Sequence, residues 1–257
     1  MKGNVIVGQS GGPTAVINSS LAGVYRTAVD RGAKKVYGML YGIQGLLDEQ
    51  YVDLSKYIRS DLDVEILKRT PSAFLGTCRY KLPDIHENQE IYVKIFEILN
   101  KLNIECFIYI GGNDSMDTVL KLSEYAERIG SNVRIIGIPK TIDNDLMVTD
   151  HTPGFGSAAK YIASSLLEIA HDTFIYAVKS VTIVEIMGRD AGWLTAASAL
   201  ARNEYSDAPH LIYLPECKFD KEEFLTDVRA LLEEHNNIII AVSEGIHDAE
   251  GNYICAG

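Results

Sequence analysis

The segment 133–145 reads VRIIGIPKTIDND, and it contains the pattern on which the fold prediction depends. An apolar run rich in Ile ends abruptly, and a loop with a lysine, a threonine and two aspartates follows it. Apolar runs that do not alternate strictly are typical of strands buried on both faces of a parallel sheet. Ligands of such sheets bind beyond the carboxyl ends of the strands. The segment therefore predicts a buried strand with a functional loop at its end.

Similar apolar runs recur along the chain, separated by longer amphipathic segments. We predict strands at 4–7, 35–39, 106–110, 133–138, 181–186, 211–214 and 237–242. Helical patterns cover 14–31, 89–102, 114–129 and 157–171, and Asp220 begins a further helix that runs to about residue 234. Strands that alternate with helices in this way predict right-handed βαβ crossovers and an α/β fold. The loop 146–156 contains Pro, Gly and Thr residues, so we place a domain boundary there and divide the chain into 1–149 and 150–257.

Composition narrows the classes of function. The chain has 257 residues, of which 47% are hydrophobic and 23% charged, as in ordinary globular proteins. A net charge of -11 argues against a nucleic-acid-binding protein, which needs a basic face. No apolar stretch is long enough to span a membrane, and the apolar run near the N-terminus is too short for a signal peptide, so we expect a cytoplasmic protein. The cysteines and histidines lack the spacing of zinc sites.

Two glycine-rich loops follow predicted strands. Residues 8–14 read GQSGGPT and residues 111–115 read GGNDS. Glycines between a strand and a helix let the backbone approach a phosphate, which the helix N-terminus then faces with N–H groups. A tight turn without a ligand explains either loop equally well. Asp114 likewise fits a ligand contact or a simple helix cap.

Polar residues also follow three other strands. The loop 139–145 places two carboxylates beside a lysine, and carboxylates this close repel one another unless a metal, a proton or a cation compensates. The segment 187–193, MGRDAGW, offers an arginine at a glycine-flanked turn, where it fits a phosphate contact or a surface ion pair. Arg79 in GTCR and Glu244 in SEG are further candidates, although either residue alone is typical of a charged surface.

Taken together, the ordered motifs SGG, GGNDS, PKTIDND, MGRDAGW and SEG resemble the phosphofructokinase family over residues 1 to about 250. The combination of PKTIDND with MGR is specific, whereas the glycine loops also occur in other kinase folds. The resemblance implies two Rossmann-like domains, each with a mainly parallel sheet flanked by helices. It implies transfer of a phosphoryl group to the 1-hydroxyl of fructose 6-phosphate, with Mg²⁺, as a reversible glycolytic step in a homo-oligomer. A lipid or nicotinamide-nucleotide kinase shares only the glycine loop.

For the phosphoryl donor, the resemblance implies that Gly12 lies beside the transferred phosphate and that Arg79 binds donor phosphates. ATP-dependent members usually have glycine at the positions of Asp114 and Lys140, whereas pyrophosphate-dependent members resemble this chain at both. A carboxylate repels the α-phosphate of a nucleotide, and the lysine is expected to act in catalysis by binding pyrophosphate. An ATP-dependent enzyme remains the alternative within the family. Asn113 stands where many members have an aspartate that positions magnesium, so an amide oxygen would serve the metal here.

For the acceptor, the resemblance implies that Asp143 is the general base that takes the proton from the sugar hydroxyl. Thr141 and Asp145 would help to bind the sugar phosphate and to order the magnesium site. Phosphoryl transfer needs in-line positioning, a magnesium ion, cations for the phosphate oxygens and a base near the acceptor. Magnesium takes only one or two protein carboxylates, so this short acidic cluster is sufficient for it.

The remaining acceptor contacts come from later motifs. Met187, Gly188 and Arg189 would contact fructose 6-phosphate, with Arg189 also countering charge during transfer, and Glu244 would bind sugar hydroxyls. Family members continue with a GHxQxGG-like segment that this sequence lacks, so we expect a truncated chain. A non-catalytic regulatory homologue is the alternative from another class, and the presence of Asp143, Asp145 and Arg189 argues against it.

Overall fold

The computed structural model describes residues 3–255 and divides the chain into two compact units, residues 1–140 and 141–257. The sequence placed its domain boundary later, at 149/150. The loop that follows residue 140 belongs with the second unit because its backbone is bonded there. Thr152 Oγ1 donates to Thr141 O at 2.8 Å, and Thr141 forms a parallel β-bridge with Gly154. Each unit is described by itself below.

The first unit contains a five-stranded sheet with helices on both faces. Its strands are β1 (Asn4–Gln9), β2 (Val36–Met39), β3 (Tyr51–Asp53), β4 (Ile104–Gly111) and β5 (Arg134–Pro139). Its helices are α1 (Ile17–Asp30), α2 (Gly42–Leu47), α3 (Asp61–Arg69), α4 (Gln89–Lys101) and α5 (Asn113–Arg128), with a 3-10 turn at Leu54–Lys56. The strand order is β3-β2-β1-β4-β5, and every pair is parallel except β2 with β3.

Alternate residues of the central strands fill two separate cores. Ile6 and Phe107 face the core under α4 and α5, whereas Val5, Val7 and Cys106 face the core under α1 and α3. Successive side chains of a strand point to opposite faces, so a strand between two helical layers must be apolar at nearly every position. This requirement explains why β1 and β4 read as continuous apolar runs.

The second unit has the same layered organisation around a smaller sheet. Its strands are β6 (Ser180–Ile186), β7 (Leu211–Tyr213) and β8 (Asn237–Ser243), in the parallel order β6-β8-β7. Its helices are α6 (Phe155–Thr173), α7 (Trp193–Ala197) and α8 (Lys221–Glu234), with a 3-10 turn at Ser198–Ala201. Ile239 and Ala241 of β8 pack in one core with α6, and Ile238 and Ile240 pack in another with α8.

The predicted strands are all confirmed, with small differences at their ends, and the α/β class is confirmed. The short antiparallel strand β3 was missed, because Tyr51–Asp53 is too brief and too polar to show a period. The start of the first helix was predicted wrongly. The helix begins at Ile17, three residues after the predicted start, because residues 10–14 form the turn that follows β1. Within residues 3–255, no helix is both long enough and apolar enough to cross a membrane.

Candidate active site

The candidate donor residues of the first unit gather at one edge of its sheet. Strand registers pair Gln9 of β1 with Ile110 of β4, and Gly111 of β4 with Pro139 of β5. The three strands are parallel and end at the same level, so the loops that follow them are neighbours. This edge is the place where parallel sheets bind ligands.

The first of these loops contains the turn at Gly11 and Gly12, called the glycine turn below. Thr77 and Cys78 of a second loop are hydrogen-bonded to it. Gly11 has φ of +78°, a conformation that glycine adopts without strain. Its N–H donates to Cys78 O at 3.1 Å, and its carbonyl accepts from Thr77 Oγ1 at 2.5 Å. A Cβ on Gly12 would meet nothing within 4 Å, so the space beside this residue is open. Arg79 follows directly after Cys78 and is exposed.

Lys140 brings a cation to the same turn. It is buried, its N–H donates to Gly111 O at 2.8 Å, and its ammonium group donates to Gly12 O. A Cβ on Gly11 would lie 3.4 Å from the lysine Nζ. A buried ammonium is costly unless an anion or several acceptors compensate it. Its hydrogen bond to Gly12 O places the positive charge of the lysine at the glycine turn.

The N-terminus of α5 forms the third part of this edge. Gly112 is the residue that caps the helix, and Asn113 and Asp114 occupy its exposed first turn. The hypothesis that Asp114 is the N-cap is wrong, because the cap position belongs to Gly112. Asp114 instead lies in the first turn, where the helix dipole favours a carboxylate and where the N–H groups of a helix point towards an anion. Its charge thus competes with that of any anionic ligand at this end.

Tyr109 supports the glycine turn from inside the sheet. Its hydroxyl accepts from Ile43 N at 3.1 Å and lies 3.7 Å from the sulfur of Cys78. Burial raises the pKa of this phenol well above its ordinary value, so it stays neutral and keeps its proton for a hydrogen bond.

In the second unit, the loop that carries the two aspartates is held by the residue between them. Asn144 is buried and adopts φ of +59°, which Asn tolerates better than most residues. Its Oδ1 accepts from Thr152 N at 2.8 Å and its Nδ2 donates to Asp150 O at 3.2 Å. Asp143 N donates to Thr141 Oγ1 at 3.1 Å. The buried amide therefore anchors the loop that carries Asp143 and Asp145.

Two further predicted motifs meet at the carboxyl ends of β6 and β8. Gly188 N donates to Glu244 Oε1 at 3.1 Å, and Ser243 Oγ donates to Gly188 O at 2.7 Å. A Cβ on Gly245 would lie 1.8 Å from Arg189 O, so only glycine allows this approach of the two turns. Met187 is exposed, and the guanidinium of Arg189 lies 5.9 Å from the centre of the Tyr253 ring. The structure thus brings Gly188, Arg189 and Glu244 together.

The predicted residues are divided between the two units. The donor candidates Gly12, Arg79, Asn113, Asp114 and Lys140 lie at the edge of the first sheet, and the acceptor candidates lie in the second unit. Sequence reasoning missed the residues that hold these loops, among them Thr77 and Asn144. The only signal for Asn144 was an amide between two carboxylates, which by itself does not indicate a buried anchor.

Comparisons with known proteins show the family to which this chain is related. Residues 4–256 match the family model described as Phosphofructokinase. The pyrophosphate–fructose 6-phosphate 1-phosphotransferase of Rhodospirillum rubrum is 48% identical over 98% of this chain and 61% of its own length. The enzyme of the same name from Xanthomonas campestris is 46% identical over 98% of this chain and 60% of its own length.

A solved structure gives the same result for the fold. The pyrophosphate-dependent phosphofructokinase of Nitrosospira multiformis superposes with a TM-score of 0.86 at 39% identity, covering 97% of this chain and 62% of that one. The chain spans about 60% of the length of the curated relatives that it matches. Because the family model covers nearly the whole chain, the chain belongs to the phosphofructokinase family.

Proposed function

We propose that this chain carries the donor and acceptor residues of a phosphotransferase that moves a phosphoryl group from pyrophosphate to the 1-hydroxyl of fructose 6-phosphate, reversibly and with Mg²⁺. The observation that carries the proposal is the pairing of Lys140 with the glycine turn, beside a helix whose first turn contains Asp114. Relatives that resemble the chain over 98% of its length are named for pyrophosphate and fructose 6-phosphate.

The proposed roles of the donor residues follow from their charges and from the space around them. Lys140 and Arg79 bind pyrophosphate oxygens, and the open space beside Gly12 admits the phosphate that is transferred. Asp114 disfavours ATP, because its carboxylate repels the additional phosphate of a nucleotide at the end of the helix. Pyrophosphate is shorter than a nucleoside triphosphate and therefore avoids this contact with the Asp114 carboxylate.

On the acceptor side, Asp143 removes the proton from the attacking sugar hydroxyl. Thr141 helps to bind the sugar phosphate, as do Met187 and the Gly188–Arg189 turn, and Glu244 fixes that turn through Gly188 while accepting from sugar hydroxyls. Arg189 stabilises negative charge as the phosphoryl group passes to the acceptor. Positioning and charge stabilisation of this kind account for most of the catalysis of phosphoryl transfer.

The residues present also fit a magnesium ion. Mg²⁺ prefers oxygen ligands and takes one or two protein carboxylates, with water and phosphate oxygens completing its shell. Within the second unit, Asp143 and Asp145 offer such carboxylates on one loop. Within the described residues no cluster of three or more His, Cys, Asp or Glu side chains gathers that could hold a metal ion. When bound, the ion neutralises charge on the phosphate oxygens.

The test is the ratio of the specificity constants for pyrophosphate and ATP, measured with fructose 6-phosphate and Mg²⁺. We expect pyrophosphate to be strongly preferred, and Asp114→Gly to reduce the preference by about tenfold, which corresponds to about 1.4 kcal/mol. Asp114→Asn distinguishes repulsion by the charge from steric exclusion by the side chain, since it removes the charge and keeps the volume. Asp117→Asn, which changes a carboxylate on the same helix that is paired with Lys121, should leave the ratio unchanged.

Three outcomes would contradict the proposal. A preference of the unmodified protein for ATP would support the ATP-dependent alternative, and a ratio that is insensitive to Asp114→Gly would leave that residue without a role in donor choice. Binding of both substrates without any turnover would favour a regulatory homologue. Assembly into a homo-oligomer and a cytoplasmic location stay predictions of the sequence, and analytical ultracentrifugation would test the first.

A further inference from the structure

Two buried side-chain amides lie beneath the glycine turn, where β1 ends and α1 begins. Gln9 and Asn18 are 0% and 1% exposed. Gln9 Nε2 donates to Asn18 Oδ1 at 2.9 Å and to Ile17 O at 3.1 Å. Polar groups at this depth are costly unless every one is hydrogen-bonded, so we expect the two amides to have a specific structural or functional role.

The two amides hold the irregular segment that follows α3. Leu75 N donates to Gln9 Oε1 at 2.9 Å, and Phe74 N donates to Asn18 Oδ1 at 2.8 Å. Asn18 Nδ2 donates to Thr70 O at 2.9 Å. Residues 70–78 form no regular helix or strand, so these side chains replace the backbone partners that a helix or a sheet would supply.

The same segment reaches the donor edge a few residues later. Cys78 O accepts from Gly11 N and, at 3.3 Å, from Ser10 Oγ, while Thr77 Oγ1 donates to Gly11 O. Arg79 comes next in the chain. The buried amides are thus connected with the glycine turn, and with the arginine proposed to bind pyrophosphate, through the backbone of residues 74–79 and the hydrogen bonds that hold it.

Only an amide at position 9 satisfies its surroundings. One end of the side chain faces a backbone N–H and must accept, and the other faces a backbone carbonyl and must donate. A carboxylate offers two acceptors and no donor, and an apolar side chain offers neither. The partners themselves therefore fix the orientation of the Gln9 amide.

We propose that Gln9, supported by Asn18, is a positioning residue for pyrophosphate binding, which it promotes by holding residues 74–79 against the glycine turn. The proposal rests on the proposed function, because it takes Arg79 and the glycine turn as the donor site. Neither amide touches the ligand; both act through the segment that they hold.

The test compares Gln9→Glu with Gln9→Met by calorimetric titration with Mg²⁺ pyrophosphate. We expect both variants to bind at least about tenfold more weakly than the unmodified protein at about pH 8, because Gln9→Glu loses both bonds that the amide donates and Gln9→Met also loses the acceptor for Leu75 N. A glutamate buried between acceptors has a raised pKa, and its protonated form regains a donor. The affinity of Gln9→Glu, relative to that of the unmodified protein at the same pH, should therefore recover towards about pH 6, and that of Gln9→Met should not.

Tyr25→Phe is the matched control, since it removes a hydrogen bond to Ile58 O in the same unit but away from the segment. It should lower stability without changing pyrophosphate affinity. Asn18→Asp gives a second variant if Gln9→Met does not fold, because it keeps the acceptor for Phe74 and loses only the donor to Thr70. It should also weaken pyrophosphate binding.

The outcomes separate the two proposals. If the unmodified protein binds no pyrophosphate, the proposed function fails and the positioning role fails with it. If the unmodified protein binds and the folded Gln9 and Asn18 variants bind equally well, only the positioning role is overturned. A purely structural role would change the free energy of unfolding and leave the affinity of the folded variants unaltered, without the pH-dependent recovery of Gln9→Glu.

Discussion

Asp143, the proposed general base, lies on a loop that a different residue holds in place. The loop around it is anchored by Asn144, whose amide bonds Thr152 and Asp150, while Asp143 donates to Thr141 through its backbone N–H. Replacing the carboxyl group of Asp143 leaves all of these bonds intact. The loop should therefore keep its conformation when the proposed general base is lost.

We predict that Asp143→Asn lowers turnover by about 100- to 10,000-fold, the usual contribution of a positioned general base. The variant should stay folded and unfold cooperatively in urea, because the loop bonds made by Asn144 and by the Asp143 N–H do not involve this carboxyl group. Steady-state kinetics with pyrophosphate and urea denaturation test the two expectations. Asp172→Asn, at an exposed carboxylate of α6, is the control for loss of charge. Near-normal turnover of Asp143→Asn would exclude Asp143 as the base.

At the scale of elements, α8 illustrates a helix start that the sequence predicts well. Asp220 was expected to begin the helix, and it is the N-cap: its Oδ1 accepts from Glu222 N at 2.8 Å and from Glu223 N at 3.0 Å. The helix then packs Val228 against Ile238 and Ile240 of β8. One side chain thus satisfies two N–H groups that the helix itself leaves without a partner.

We predict that Asp220→Ala destabilises the second unit by about 1 kcal/mol, the typical cost of losing an N-cap side chain. Urea denaturation followed by circular dichroism measures the change. Glu233→Ala, at an exposed position near the other end of the same helix, should be neutral or slightly stabilising, because it removes a negative charge from the negative end of the helix dipole. Equal destabilisation by both substitutions would mean that the cap contributes nothing specific.

At the scale of the whole molecule, pH acts on the packing of the second unit through His210. Its Nδ1 accepts from Ile239 N at 3.0 Å, and its ring lies 4.8 Å from that of His235. Burial lowers the pKa of His210 below its ordinary 6.5, and the neighbouring His235 lowers it further; Asp207 opposes the shift and Arg202 adds to it. Protonation of Nδ1 would remove the acceptor that Ile239 uses.

The direction in which stability changes with pH follows from the difference between the folded and unfolded pKa values of His210. The pKa of His210 is lower in the folded state, so the unfolded chain binds the proton first as pH falls. Its contribution to stability is complete above about pH 6.5 and is lost as pH falls through the folded pKa. We predict that His210→Asn, which keeps an acceptor and does not titrate, reduces the loss of stability between about pH 7.5 and about pH 5. Urea unfolding midpoints measure it, with His171→Asn at an exposed site as control. An unchanged slope in His210→Asn would contradict the prediction.

The strands other than β3 and the α/β class could be predicted from the sequence. Val- and Ile-rich runs predict buried parallel strands, since a strand covered by helices on both faces must be apolar at nearly every position. The polar residues that follow β5 and β6 were therefore identified as candidates before any contact was known. Asp220 was also found from the sequence, because a helix cap acts on residues only two or three positions away.

The residues that hold the candidate site loops in place from distant parts of the chain could be identified only in the folded structure. Gln9 contacts a segment more than sixty positions away, and the Gly188 turn meets Glu244 after fifty-six. Neither contact leaves a periodic trace in the sequence, since Gln9 reads as a polar end to a strand and Glu244 as a surface charge. The late start of α1 was decided in the same way, by the hydrogen bonds of the turn before it. Periodicity reports the burial of each element, whereas hydrogen bonds between remote segments depend on where the folded chain brings them together.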